Sequence, residues 1–136
     1  MTDIIPMTLN RLTLLIGLVL LFVSCKEAPK TCESFHQGTF EIIRPADDYA
    51  VRIERKDSLQ IETNLNTGAV TKAVVRWDNI CNYQLEYIES TSEHAVNLIG
   101  KVLIVRIVAI TGNSYTYEAV LRGTQTVTKG VITAVD

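Results

Sequence analysis

The chain is 136 residues long, with 13 lysines and arginines against 15 aspartates and glutamates and a formal net charge of −2. That length supports one core of modest size. The basic residues are scattered singly rather than gathered in a stripe, which argues against nucleic acid as a partner. No P-loop, dinucleotide fingerprint, HExxH zinc motif or hydrolase elbow is present, so the enzymes built on them are set aside and no cofactor is implied.

In chain order, the first element is Arg11 followed by an apolar run from Leu12 to Val23, broken only by Thr13 and ending in Ser24-Cys25. A positive n-region, a short apolar h-region and a small residue before a cysteine have the layout of a secretory signal. The run is too short for a relaxed membrane span of about 20 residues. Asp3 lies ahead of the n-region, which makes Met7 the expected start of translation. Phe22-Val23-Ser24-Cys25 resembles a bacterial lipobox, with Phe22 where that pattern usually has Leu. The resemblance implies a signal peptide over residues 1–24 and an acylated, palmitate-bearing Cys25 at the mature N-terminus. Each buried methylene of such chains contributes about 0.8 kcal/mol, so two or three chains make the bilayer a stable partner. Lys26 rather than Asp follows Cys25, which by resemblance to Gram-negative lipoproteins implies the outer membrane. Lys26-Glu27 also resembles the charged signal of surface-displayed lipoproteins, so periplasm-facing and surface-exposed placements both stay open.

Residues 25–31 read as a lipidated, charged tether around Pro29, and 32–136 as a single domain. With Cys25 acylated, Cys32 and Cys81 remain as a pair in an oxidising compartment, which predicts a disulfide. It would close a loop of 49 residues, worth about 4 kcal/mol in the chain-entropy model. Two free thiols or a metal-binding pair are the alternatives. There is no CxxC, and His36 and His94 stand at no ligand spacing, so no metal is expected.

From Gly38 onward, apolar residues alternate between turn signals without a helical period, which predicts an all-β, antiparallel domain. Eight strands are expected: Gly38–Ile43, Tyr49–Arg55, Leu59–Leu65, Ala69–Trp77, Cys81–Ile88, Leu98–Ile110, Ser114–Arg122 and Gln125–Val135. Ser90–Asn97 is the longest loop, with room for one helical turn at Ser92–Ala95. Sequential hairpins make an up-and-down meander. Such a meander either closes into a small calycin-like barrel or stays a strongly curved sheet or two-layer sandwich.

Turn lengths predict a register. Three-residue turns at Lys56–Ser58, Asn66–Gly68 and Asp78–Ile80 set Arg52, Glu62, Lys72 and Glu86 in an outward row of alternating charge. The opposite face then stacks Ile53, Ile61, Ala73 and Leu85. A turn at Thr111–Asn113 opposes Arg106 to Glu118 and Ile107 to Tyr117, and Gly123-Thr124 opposes Glu118 to Lys129 and Tyr117 to Gly130. With those charges outward, Val102, Ile104, Val108, Val120, Val127 and Val131 also point outward. Contiguous exposed apolar residues commonly mark a contact surface, here for another protomer, an envelope protein or lipid.

Trp77, Tyr83, Tyr87, Tyr115 and Tyr117 face inward on this register. They read either as packed core or as the lining of a cavity for a small apolar ligand, with Arg55 near a mouth as an anion-binding group. Ser34 beside His36 is no catalytic constellation, since a triad is assembled in space with a third member.

Cys32-Glu33-Ser34-Phe35 with Gly38-Thr39-Phe40, then Arg55 and Gln60-Ile61-Glu62, then Trp77 with Cys81-Asn82-Tyr83-Gln84-Leu85, resembles a group of small Bacteroidetes lipoproteins. Some of that group carry the label DNA topoisomerase IV. The likeness covers most of the mature chain and implies shared architecture more than shared chemistry. The label does not fit this chain, because a strand-passing subunit is many times longer, needs a catalytic tyrosine with acidic metal ligands, and works in the cytoplasm. The expected protein is a non-enzymatic envelope lipoprotein whose disulfide-stapled β-domain is a binding or interaction module. A calycin-like carrier of a small apolar ligand is the alternative.

Overall fold

The computed structural model describes residues 27–135, so the signal segment and Cys25 lie outside the described residues. Eight antiparallel strands follow one another: β1 Gly38–Arg44, β2 Tyr49–Lys56, β3 Leu59–Asn64, β4 Val70–Asn79, β5 Asn82–Ser90, β6 Val102–Thr111, β7 Ser114–Leu121 and β8 Val127–Val135. Each pairs with its chain neighbour, and β8 returns to β1 through Thr39–Val135, Phe40–Ala134 and Glu41–Thr133. The sheet is therefore a closed up-and-down barrel, which leaves no unpaired edge. Short 3₁₀ turns occupy Cys32–Phe35, Pro45–Asp47 and Val96–Leu98. The last of these replaces the expected start of β6 at Leu98, so that strand begins at Val102. No helix among the described residues is long and apolar enough to cross a membrane.

Inward residues of every strand except β3 form one core, including Phe40, Val51, Ile53, Ala73, Val75, Leu85, Val105 and Ile132. The Cys32–Phe35 turn lies across one end of the barrel and drives Phe35 into it, fully buried. Ser34 Oγ accepts the Thr31 N–H at 3.0 Å and fixes the entry to that turn. Cys32 and Cys81 form a disulfide, with Cα atoms 5.2 Å apart, that ties the turn to the β4–β5 hairpin.

The C-terminal strands take the predicted pairing, Arg106 with Glu118, Ile107 with Tyr117, Glu118 with Lys129 and Tyr117 with Gly130, but through different turns. Thr111 pairs with Ser114 across Gly112-Asn113, an irregularity between Ile107 and Ala109 restores the register, and residues 122–126 connect β7 to β8. Arg106 Nη2 and Lys129 Nζ lie 2.8 and 3.6 Å from the Glu118 carboxylate. The aromatic ring of Tyr117 lies so close over Gly130 that an added Cβ there would meet its Oη at 2.5 Å. Ile104, Val108, Val127 and Val131 are 40–51 % exposed on the outer face, as the alternation implies.

The N-terminal register differs from the predicted one. The β2–β3 connection is two residues, Asp57-Ser58, with Lys56 paired to Leu59. Asp57 takes φ 54°, a left-handed conformation that short polar side chains tolerate best after glycine. One residue less in the turn turns β3 over. Glu62 pairs with Ile53 and points inward with Gln60, while Ile61 leaves the apolar stack. Arg52 is opposite Thr63 on that side and forms its ion pair with Glu41 of β1 instead, at 3.0 Å. The β4–β5 turn is Ile80-Cys81, held by Asn79 Oδ1 accepting the Cys81 N–H at 3.0 Å. With two irregularities in that ladder, Lys72 meets Glu89 at 3.3 Å rather than Glu86, and Ala73 faces Tyr87 rather than Leu85. The slip is two residues from Ala73 to Trp77 and three at Lys72, beyond the irregularity, so Tyr83, Leu85 and Tyr87 keep the inward face of β5. The charge row Arg52-Glu62-Lys72-Glu86 does not form.

Candidate functional site

Eight-stranded interiors are just wide enough to be filled by side chains or to hold one small ligand. This barrel is filled by side chains at one end and hollow at the other. At the end covered by Phe35, Arg55 is 2 % exposed and spends its donors on protein. Its Nε donates to Gln60 Oε1 at 2.9 Å, Nη1 to the Phe35 carbonyl at 2.6 Å, and Nη2 to the hydroxyls of Tyr83 and Tyr115 at 3.4 and 3.3 Å. Those two hydroxyls are 2.9 Å from each other. The guanidinium also lies over the rings of Tyr83 and Phe40, with centroids at 4.9 and 5.0 Å. Burial, with the neighbouring Tyr115 next, holds the Tyr83 phenol well above its ordinary range. Outside this plug, His36 stacks on Trp77 with centroids 3.6 Å apart and its Nε2 lies 2.8 Å from the Ile80 carbonyl.

The other end is hollow. A chamber of about 200 Å³ is lined by Ile42, Tyr49, Gln60, Glu62, Leu85, Tyr87, Leu103, Tyr117 and neighbouring apolar residues, with Tyr83 reaching it from below. A vestibule of about 450 Å³ adjoins it, bounded by β2, β3, β4, β5 and the Ser92–Leu98 segment. Tyr49, Glu62 and Tyr87 line both spaces and so stand where they meet. The Arg44 guanidinium lies 4.2 Å over the Tyr49 ring at the rim and reaches Asp47 at 3.5 Å.

Glu62 is the charged group of this lining that faces inward from the middle of a strand. Gln60 Nε2 donates to its Oε1 at 2.7 Å, and Gln60 is itself oriented by Arg55, so one hydrogen-bonded chain links the plug to the chamber. Glu62 forms no ion pair among the described residues. Burial pushes its carboxyl above the ordinary range, against the opposing effects of the Gln60 amide and the Arg55 charge. Tyr49 and Tyr87 are raised by burial and then by the Glu62 charge, and Tyr117 by burial and then by Tyr49. The lining thus presents the Tyr49, Tyr87 and Tyr117 phenols, the Glu62 carboxyl, the Gln60 amide and, at the rim, the Arg44 guanidinium and Thr128 above a largely apolar floor. Among the described residues, no group of three or more His, Cys, Asp or Glu converges as for a metal ion.

The sequence-predicted lining residues divide between the two ends. Tyr83, Tyr87 and Tyr117 border the chamber; Tyr115 and Trp77 belong to the packing around the plug, and Arg55 is the centre of that plug rather than a free anion-binding group at a mouth. Tyr49, Gln60 and Glu62 were not anticipated. Tyr49 has a usable signal, because it shares the inward parity of Val51, Ile53 and Arg55 on one strand. Gln60 and Glu62 carry none until the length of the Asp57-Ser58 turn is known. No family model, no curated protein and no solved structure matches the chain.

Proposed function

We propose that the chain is a cell-envelope lipoprotein, anchored in the outer membrane through acylated Cys25, whose barrel is a non-catalytic binding module that takes a small molecule into its open end. The observation that carries this reading is the contrast inside one barrel: a plug in which each guanidinium nitrogen of Arg55 has a protein partner, and a chamber lined by convergent polar groups on an apolar floor. The disulfide fits an oxidising compartment and so supports the envelope. The resemblance to small Bacteroidetes lipoproteins points the same way. The chamber's 200 Å³ falls below the range of drug-sized sites, so the ligand, or the part of it inside the barrel, is small.

Native mass spectrometry of the detergent-purified protein tests the binding role. The wild type is expected to retain a small adduct that a chamber-filling Leu103→Trp variant loses. An adduct-free wild type under conditions that keep the barrel folded overturns the reading. For the anchor, Cys25→Ala is expected to abolish incorporation of labelled palmitate, and continued labelling removes that part.

A further inference from the structure

We propose that the molecule held at the open end is a small organic cation, a primary or quaternary ammonium on a short apolar body, with its head against Glu62 and the faces of Tyr49, Tyr87 and Tyr117. This deepens the binding-module reading and rests on it.

The carboxyl carries the assignment. Glu62 points into the barrel from β3, borders both the chamber and the vestibule, and takes one hydrogen bond, from Gln60. The two cations that could neutralise such a group are nearby but committed. Arg55 turns its guanidinium to Gln60, the Phe35 carbonyl and two tyrosine hydroxyls, and Arg44, at the rim of the same chamber, lies over the Tyr49 ring and pairs with Asp47. A partly buried carboxylate without a paired cation is costly, and loss of water around this one raises it above its ordinary range. A cationic ligand reverses that cost. A carboxylate or phosphate ligand would add repulsion to it. A wholly apolar ligand would strip the remaining water from the carboxyl and return nothing.

The rings supply the second half. Ammonium groups are attracted to the faces of aromatic rings, most strongly where water is excluded. Tyr49, Tyr87 and Tyr117 come from three different strands to one space, and the rim ring already accepts a cation, the Arg44 guanidinium 4.2 Å over Tyr49. Below them, Ile42, Leu85 and Leu103 give an apolar floor for the body of the ligand.

Calorimetric titration of the full-length protein in detergent with n-butylammonium, n-butanol and butyrate at pH 7 tests the charge assignment. The ammonium is expected to bind about tenfold or more tighter than the alcohol, a difference of about 1.4 kcal/mol or more, with butyrate weakest. Glu62→Gln, folded by its thermal melt, is expected to bring ammonium and alcohol within about threefold of each other. Tyr87→Leu is expected to weaken the ammonium and spare the alcohol, and serves if the Gln variant does not fold. Wild-type protein that takes the alcohol as well as the ammonium overturns the cation assignment and leaves the binding module standing. Binding of none of the three overturns both.

Discussion

The two ends of the barrel use similar materials to opposite effect. Each has tyrosines from several strands around one charged side chain. At the plugged end the charge is Arg55, and Phe35, Gln60, Tyr83 and Tyr115 between them answer all three of its nitrogens. At the hollow end the charge is Glu62, answered by a single amide. The lesson is that a buried charge stabilises or waits according to how many of its bonding positions the protein itself fills. The plug is a structural solution, and the chamber keeps its bonding capacity for something else.

Breaking the plug is expected to have the largest effect. Arg55→Met leaves the Phe35 carbonyl, the Gln60 amide and a tyrosine pair short of partners, each worth about 1–3 kcal/mol when buried. The variant is expected to lose about 4–5 kcal/mol, read as a fall in melting temperature of about 15 °C or more. Arg55→Lys is expected to recover little, because an ammonium cannot span three directions as the guanidinium fork does. A melt within a few degrees of wild type would show that the two ends do not differ as described.

Reducing the disulfide comes next. A 49-residue separation corresponds to about 4 kcal/mol in the chain-entropy model. Melts with and without reductant are expected to differ by about 15 °C, with the double variant Cys32→Ser/Cys81→Ser matching the reduced protein. No difference would detach the Cys32–Phe35 turn from the stability of the plug.

The hollow end is expected to behave in the opposite sense. The folded-state pKa of Glu62 is raised above its ordinary value, so the folded protein holds that proton to higher pH than the unfolded chain does. Stability from this group is therefore fully present below the ordinary glutamate range and declines as pH rises through it to the raised value. The groups that face it are Tyr49 and Arg55 of β2, Gln60 beside it, Tyr87 of β5 and Tyr117 of β7, with Arg44 and His94 bordering the two spaces. Glu62→Gln keeps the Gln60 bond and removes the titration. Its melting temperature relative to wild type is expected to climb by a few degrees from pH 4 to pH 7, and a flat difference would contradict the raised value.

The smallest effect separates the two registers. A double-mutant cycle between Arg52 and Glu41 is expected to give about 0.2–1 kcal/mol of coupling, as for other exposed pairs, whereas one between Arg52 and Glu62 is expected to give none. Coupling to Glu62 would restore the three-residue turn.

These outcomes turn on how much of the molecule its amino acids disclose. Strand number and order were legible because a two-residue period interrupted by turn formers is a strong local signal. Glu118, Lys129, Tyr117 and Gly130 pair as expected although the β6–β7 turn is one residue shorter, because the irregularity between Ile107 and Ala109 offsets it. β3 misled because Leu59 and Ile61 alternate with Gln60 and Glu62 at the right period in the wrong phase. The phase is set by Asp57-Ser58, and the outer face tolerates the result, since Leu59 lies opposite the exposed Val74. The inward tyrosines were visible for the same reason as the strands. Their division into plug and chamber was not, because it depends on which end the Cys32–Phe35 turn covers, and no pattern within a strand records that.

The disulfide has one more consequence, for force rather than stability. Cys32 stands at the start of the domain, ahead of β1, and is bonded to the β4–β5 turn. A pull on the N-terminal segment is thus delivered first to a hairpin halfway round the barrel, not to the β1–β8 seam where a closed sheet would begin to unzip. The same bond holds the start of the domain at the plugged end, so the chamber opens at the end away from Cys32.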